Sequence, residues 1–228
     1  AQAPAAAAPA EPEAAKSMSL WDLIKVGGWA MWPLGMCSFG LIMIAVVNMQ
    51  RVNAGKLIPA AALTQIKQAA SEGNLEAMLA ASTGTRSLFT NALTAGLRHL
   101  NPEDPAASKA KVESAIAETV SREEAQLGFW INILSLITAI SPMLGLLGTV
   151  SGMIGAFQKI GQGGMGKPEL LASNIGEALI TTAAGLIIAI PSMFCYFLFR
   201  SKLNQIIQRA EEEFTNLLDT LTGGGEAT

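Results

Sequence analysis

The sequence predicts an all-α membrane protein with three transmembrane helices and long helical extensions outside the bilayer. Three observations carry this. Half of the 228 residues are apolar and only 14% are charged, against about 25% in an ordinary soluble domain. The charges are segregated, with no Asp, Glu, Lys or Arg in 26–50, 125–158 or 178–199. Each stretch meets the roughly 20 residues a helix needs to cross about 30 Å of hydrocarbon. In lipid the backbone must satisfy its own hydrogen bonds, which a helix does within one segment, so these are spanning helices and not buried core.

Residues 1–17 are rich in Ala, Pro and Glu and lack large apolar side chains. They cannot bury enough surface to offset ordering entropy and are expected to be disordered. Residues 18–28 read as a short interfacial helix, with Leu20, Leu23 and Ile24 on one face and Trp21 nearby. Span one covers 29–50, with Trp29 and Trp32 in its outer aromatic belt. The segment 51–127 is polar but helical. Pro59 opens a helix at its first position, and Leu63, Ile66 and Ala70 give it an apolar stripe. Gly73 breaks that helix and Asn74 caps the next, over 75–81. A further helix runs over about 87–99.

Asp104-Pro105 reads as an N-cap followed by Pro at the first helical position. No breaker follows until Pro142, so span two (128–158) is the membrane part of one long helix over about 105–158. Its charge-free stretch has 34 residues, about 51 Å at 1.5 Å each, so it should tilt or project beyond the hydrocarbon. A loop over 159–169 leads to span three (170–199), which continues into a helix over 200–222. There Leu203, Ile207, Ala210, Phe214, Leu217 and Leu221 alternate steps of four and three, a heptad seam that predicts helix association outside the membrane. The glycine run 223–225 ends the helix, leaving a tail over 223–228.

Eleven of the fifteen Lys and Arg residues fall in 51–124 and 200–228. The positive-inside rule places both segments in the cytoplasm, with the N-terminus and the 159–169 loop outside. The opening Ala-Gln-Ala fits a mature end left by signal-peptide cleavage, which agrees with an outside N-terminus. A net charge of −3 gives no nucleic-acid footprint. Cys37 and Cys195 lie in separate spans and His99 is the one histidine, so neither a disulfide framework nor a metal site is expected. No nucleophile–base pair suggests an enzyme, and no cofactor is expected.

One motif is a decoy. Gly161 to Lys167 fits G-x-x-x-x-G-K, but Pro168 stands where a phosphate-binding loop needs Ser or Thr. The sharper candidate is Glu177, a single carboxylate at the edge of span three. Ionisable side chains in membrane segments usually face a bundle interior or a wet cavity and mark ion or proton pathways. Thr181 can share its face; Thr182 lies about 140° away, beside Ala178, Gly185, Ala189 and Ser192. Span two has a matching stripe of Ser135, Thr138, Pro142, Gly145, Thr149, Gly152 and Ala156. Small residues let membrane helices approach closely, and the hydroxyls could line a hydrated path. Pro142 and Pro191 each leave a carbonyl without its helical donor and predict kinks. A membrane scaffold that moves no ions fits the stripes equally well but leaves Glu177 idle.

The strings ISPMLGLLGTVSGMIGAF (140–157) and IGEALITTAAGLIIAIP (175–191), in this order across a short loop, closely resemble the MotA/TolQ/ExbB proton-channel family. MotA members have four spans, so the three-span plan is more similar to ExbB or TolQ. The resemblance implies a homopentameric ring around the single spans of ExbD- or TolR-like subunits, with the proton-carrying Asp on that partner. It implies pore-lining roles for Thr149 and Thr182, with Thr181 an additional hydroxyl beside them, and places the family Glu at Glu177. It further implies a multi-pass protein of the bacterial inner membrane, its N-terminus periplasmic and its C-terminus cytoplasmic. The complex would use the proton motive force to drive a TonB-like protein in outer-membrane transport, with a TolQ-type role in envelope integrity as the alternative. The Ala/Pro-rich outer segment is more similar to some ExbB proteins.

Overall fold

The computed structural model describes residues 28–101, 105–161 and 168–221, with residues 105–107, 159 and 168–171 described by backbone alone. The expected tails over 1–17 and 223–228, the interfacial helix over 18–28 apart from Gly28, and the phosphate-loop-like string over 162–167 lie outside the described residues. Among those described are seven helices: α1 (Met31–Arg51), α2 (Ala54–Leu57), α3 (Ala60–Ser71), α4 (Leu75–Thr83), α5 (Leu88–Leu97), α6 (Pro105–Gly161) and α7 (Pro168–Leu221). Three of them, α1, α6 and α7, are long and apolar enough to cross a membrane.

The two long helices set the architecture. With 57 and 54 residues, α6 and α7 measure about 86 and 81 Å at 1.5 Å per residue, nearly three times the roughly 30 Å of hydrocarbon. The charge-free stretch lies at the C-terminal end of α6 and in the N-terminal half of α7. Antiparallel packing therefore sets apolar half beside apolar half and charged half beside charged half. Helix α1 lies along the apolar pair, while α3 and α5 pack on the charged pair. Both Pro142 and Pro191 sit inside uninterrupted helix.

The short helices form where local sequence dictates. Gly73 takes φ +66°, open to a residue without Cβ, and the Asn74 side chain accepts from Ala77 N at 3.0 Å. Ser87 accepts from Thr90 N at 3.2 Å while Thr90 Oγ1 accepts from Ser87 N at 3.0 Å, a capping box that fixes the start of α5. Pro59 is the N-cap of α3 and not its first helical residue: its ψ of 118° is extended, and the cap position asks no N–H of it.

One apolar core fills the charged half. Ile66, Met78, Phe89 and Leu93 meet Val112 and Ile116 of α6 and Leu203, Ala210 and Phe214 of α7. Phe89 and Phe214 stack with ring centroids 4.6 Å apart and planes 3° from parallel. Each such side chain contributes about 1.5–3 kcal/mol through burial. The heptad positions Leu203, Ile207, Ala210, Phe214 and Leu217 are buried, so this seam is satisfied within the chain. Ion pairs stitch the rim: Lys67 to Glu213 at 2.6 Å and Lys109 to Asp219 at 2.8 Å.

A polar belt marks where the apolar halves end. The Arg51 guanidinium lies 4.9 Å from the centroid of the Trp130 ring, and Arg200 pairs with Glu124 at 3.2 Å. Buried Asn48 donates to Ile44 O and Trp130 O at 3.0 and 3.2 Å. Above it α1 exposes Trp32, Met36, Phe39 and Met43, a surface suited to lipid.

Candidate functional site

The apolar halves of α6 and α7 meet through glycines. A Cβ added at Gly145 would lie 2.9 Å from Thr181 O, one at Gly148 2.5 Å from Thr181 Oγ1, and one at Gly185 2.6 Å from Ser141 O. Only hydrogen fits at these points, so the backbones approach as closely as small-residue membrane packing allows. The seam also has hydroxyl bonds across it. Ser192 donates to Leu134 O at 2.8 Å, and both Thr181 and Thr182 approach Gly145 O at 3.3 Å.

The two threonines are not equivalent. Thr181 is 1% exposed, enclosed against Gly145 and Gly148, and also donates to Ala178 O at 2.7 Å. Thr182 is half-buried at the seam's edge. Thr149 is half-buried too, its hydroxyl donating within α6 to Leu146 O at 2.7 Å and making no bond to α7.

Helix α1 covers one side of the seam and leaves the other open. Trp29 Nε1 donates to Ser151 Oγ at 3.0 Å, and a Cβ at Gly28 would collide with Glu177 Oε1; Ser151 and Glu177 thus mark the α1 side. Thr149 lies about 160° around α6 from Ser151, and Thr182 about 140° around α7 from Glu177. These two threonines therefore share the edge opposite α1. On the same side of α6 lie exposed Ser135 and half-buried Thr138 and Pro142. The small-residue stripe of span two is thus split in use: Gly145 and Ala156 are buried in packing, while Ser135, Thr138, Pro142 and Thr149 form a polar edge without cover in the single chain.

Glu177 is half-buried and sits one residue outside the charge-free stretch of α7. It stands 23 residues from Arg200, about 35 Å along the helix, so it occupies the far edge of the apolar slab. The structure brings Thr149 and Thr182 to one edge and places Glu177 across the seam from them. Among the described residues no group of three or more His, Cys, Asp or Glu is arranged to hold a metal ion; Cys37 and Cys195 are free thiols. The turn at Gly28 and its link to Glu177 went unread in the sequence, where the Gly27-Gly28 pair was the available turn signal.

The profile of the MotA/TolQ/ExbB proton channel family matches residues 82–212, which hold α5, α6 and most of α7. The chain is 42% identical over 96 residues to the biopolymer transport protein ExbB of Xanthomonas campestris pv. campestris strain B100, covering 42% of this chain and 38% of that protein's length. It is 31% identical over 179 residues to the biopolymer transport protein exbB1 of Vibrio cholerae, covering 77% of this chain and 76% of the relative. It is 31% identical over 126 residues to the Tol-Pal system protein TolQ of Haemophilus influenzae, covering 55% and 54%.

Proposed function

The chain belongs to the MotA/TolQ/ExbB proton channel family, and from that premise we propose that it is the ring subunit of a proton-driven motor in the bacterial inner membrane, working with an ExbD- or TolR-like single-span partner. In this reading the polar edge of Ser135, Thr138, Pro142, Thr149 and Thr182 lines the interior of a homopentameric ring, and the partner's span brings the proton-carrying Asp past it. The observation that supports this best is the shared edge of Thr149 and Thr182: two half-buried threonines on different helices, opposite α1, the first bonded within its own helix and the second toward Gly145 O. A ring that turns this edge inward leaves the exposed face of α1 to lipid.

The orientation follows from charge. The core-bearing half, with Arg51 and Arg200 at its membrane boundary, lies in the cytoplasm, and Glu177 stands at the periplasmic side. Each proton crossing 100 mV releases about 2.3 kcal/mol. That is worth a few weak contacts, so mechanical output requires repeated steps. The preponderance of ExbB names among the relatives supports a role in energising a TonB-like protein for outer-membrane transport. The TolQ relative supports a second reading, an envelope-integrity motor.

The test is proton flux into liposomes holding the chain with its one-span partner. Thr149→Val, Thr182→Val and Glu177→Ala are each expected to reduce flux while the ring still assembles. If all three variants conduct like the parent, the assigned path is wrong; a complete complex that carries no protons would instead favour a non-conducting scaffold. Restoration of TonB-dependent uptake or of envelope integrity in cells lacking the respective native subunit separates the two motor roles.

A further inference from the structure

The seat of Glu177 involves a helix that the hydroxyl edge does not use. Gly28 has φ +62°, in the left-handed region that L side chains rarely adopt. The carboxylate lies against its bare Cα, so closely that any Cβ there would overlap Oε1. Two further contacts fix the same turn. Trp29 Nε1 donates to Ser151 Oγ at 3.0 Å. Ala30, 3% exposed, packs on Gly148, where an added Cβ would come within 3.1 Å of its own. The first turn of α1 starts at Met31, so the positive end of its dipole lies at this corner; Met31 N and Trp32 N themselves donate to Gly28 O and Trp29 O at 3.3 and 3.2 Å. A carboxylate is the side chain such a corner favours.

We propose that the Gly28–Ala30 turn is the positioning element of Glu177: it holds the carboxylate between α1 and α7, on the side of the seam away from Thr149 and Thr182, and covers it there. The carboxylate then reaches the outer mouth of the path only as the turn lifts, which makes seating and lifting of α1 a control on proton entry. The functional part rests on the proton-path reading above; the seat itself does not.

Two measurements on the full chain separate these parts. The first is a stability cycle read by thermal unfolding in nanodiscs. Gly28→Ala adds a Cβ and strains the backbone, whereas Gly28→Asn adds the Cβ to a residue that tolerates left-handed φ. Both should lower the unfolding midpoint. In a Glu177→Ala background the loss from Gly28→Asn should fall by at least half, because the colliding group is gone, whereas the strain part of Gly28→Ala persists. An equal loss from Gly28→Asn in both backgrounds would overturn the seat. The second is the pH profile of proton flux in the partner-complete complex. Gly28→Asn should displace its midpoint, and Glu177→Gln should remove the step that moves. A midpoint that stays put while the cycle shows coupling would overturn the positioning role. A parent complex without flux would sink the proton-path reading, and the cycle would still judge the seat.

Discussion

Thr181 and Gly145 hold α6 and α7 together at a point of close approach: the threonine hydroxyl points at the glycine carbonyl from 3.3 Å, and a Cβ on Gly145 would come within 2.9 Å of the Thr181 carbonyl. Thr181 therefore belongs to packing and Thr182, half-buried beside it, to the open edge. Thr181→Val should lower the thermal midpoint, since an interhelical hydroxyl bond in a membrane is worth about 0.6 kcal/mol and the rigid seam leaves an added methyl no room. Thr182→Val gives up a bond to the same carbonyl but has room for its methyl at the half-buried edge, so it should lower the midpoint less than Thr181→Val and cut proton flux. Paired melting and flux measurements decide this, and a reversed pattern would exchange the two roles.

Gly185 makes the same argument more sharply. Its missing Cβ would stand 2.6 Å from Ser141 O, a backbone atom that cannot swing aside. Gly185→Leu should therefore force the helices apart at a cost of roughly 1–3 kcal/mol or more. Disulfide trapping between cysteines placed along the seam reports it, and unchanged trapping yields would refute the close approach.

The three spans, the length of α6 and the start of α4 were legible in the sequence because each depends on local signals: charge-free runs, the lack of a breaker before Pro142, and the Gly73-Asn74 stop and start; the helix over about 87–99 was placed without its Ser87 cap. The heptad of α7 was legible as a seam, but its partner was not. Phe214 meets Phe89, 125 residues earlier, and no period in either segment names the other. The division between Thr181 and Thr182 was equally hidden. A step of 100° separates packing from exposure, and only the position of α6 tells which is which. Glu177 was conspicuous as a lone membrane carboxylate, yet its seat is Gly28, 149 residues away, on a turn whose φ the sequence does not print.

The Phe89–Phe214 stack is the centre of the extramembrane core. Phe214→Ala should cost about 3–5 kcal/mol and loosen α3 and α5 from the long pair. Hydrogen exchange should then quicken across 60–97 while amides in 130–157 remain protected. Loss of protection in both regions at once would mean that the two halves unfold as one unit.

Lys109 and Asp219 clamp the distal ends of α6 and α7 at 2.8 Å. The hydrogen bond to Asp219 is the chief reason the Lys109 ammonium is held above the usual lysine range, with the charges of Asp219 and Glu113 adding to it. A folded-state pKa raised above the unfolded value means the clamp contributes fully below ordinary lysine titration and is lost as pH rises through the higher folded value. Comparing Lys109→Met with the parent should therefore show a stability difference at neutral pH that vanishes only at strongly alkaline pH. The pair is exposed, so the difference will be small. A difference that fades already near neutrality would mean that another group carries the clamp.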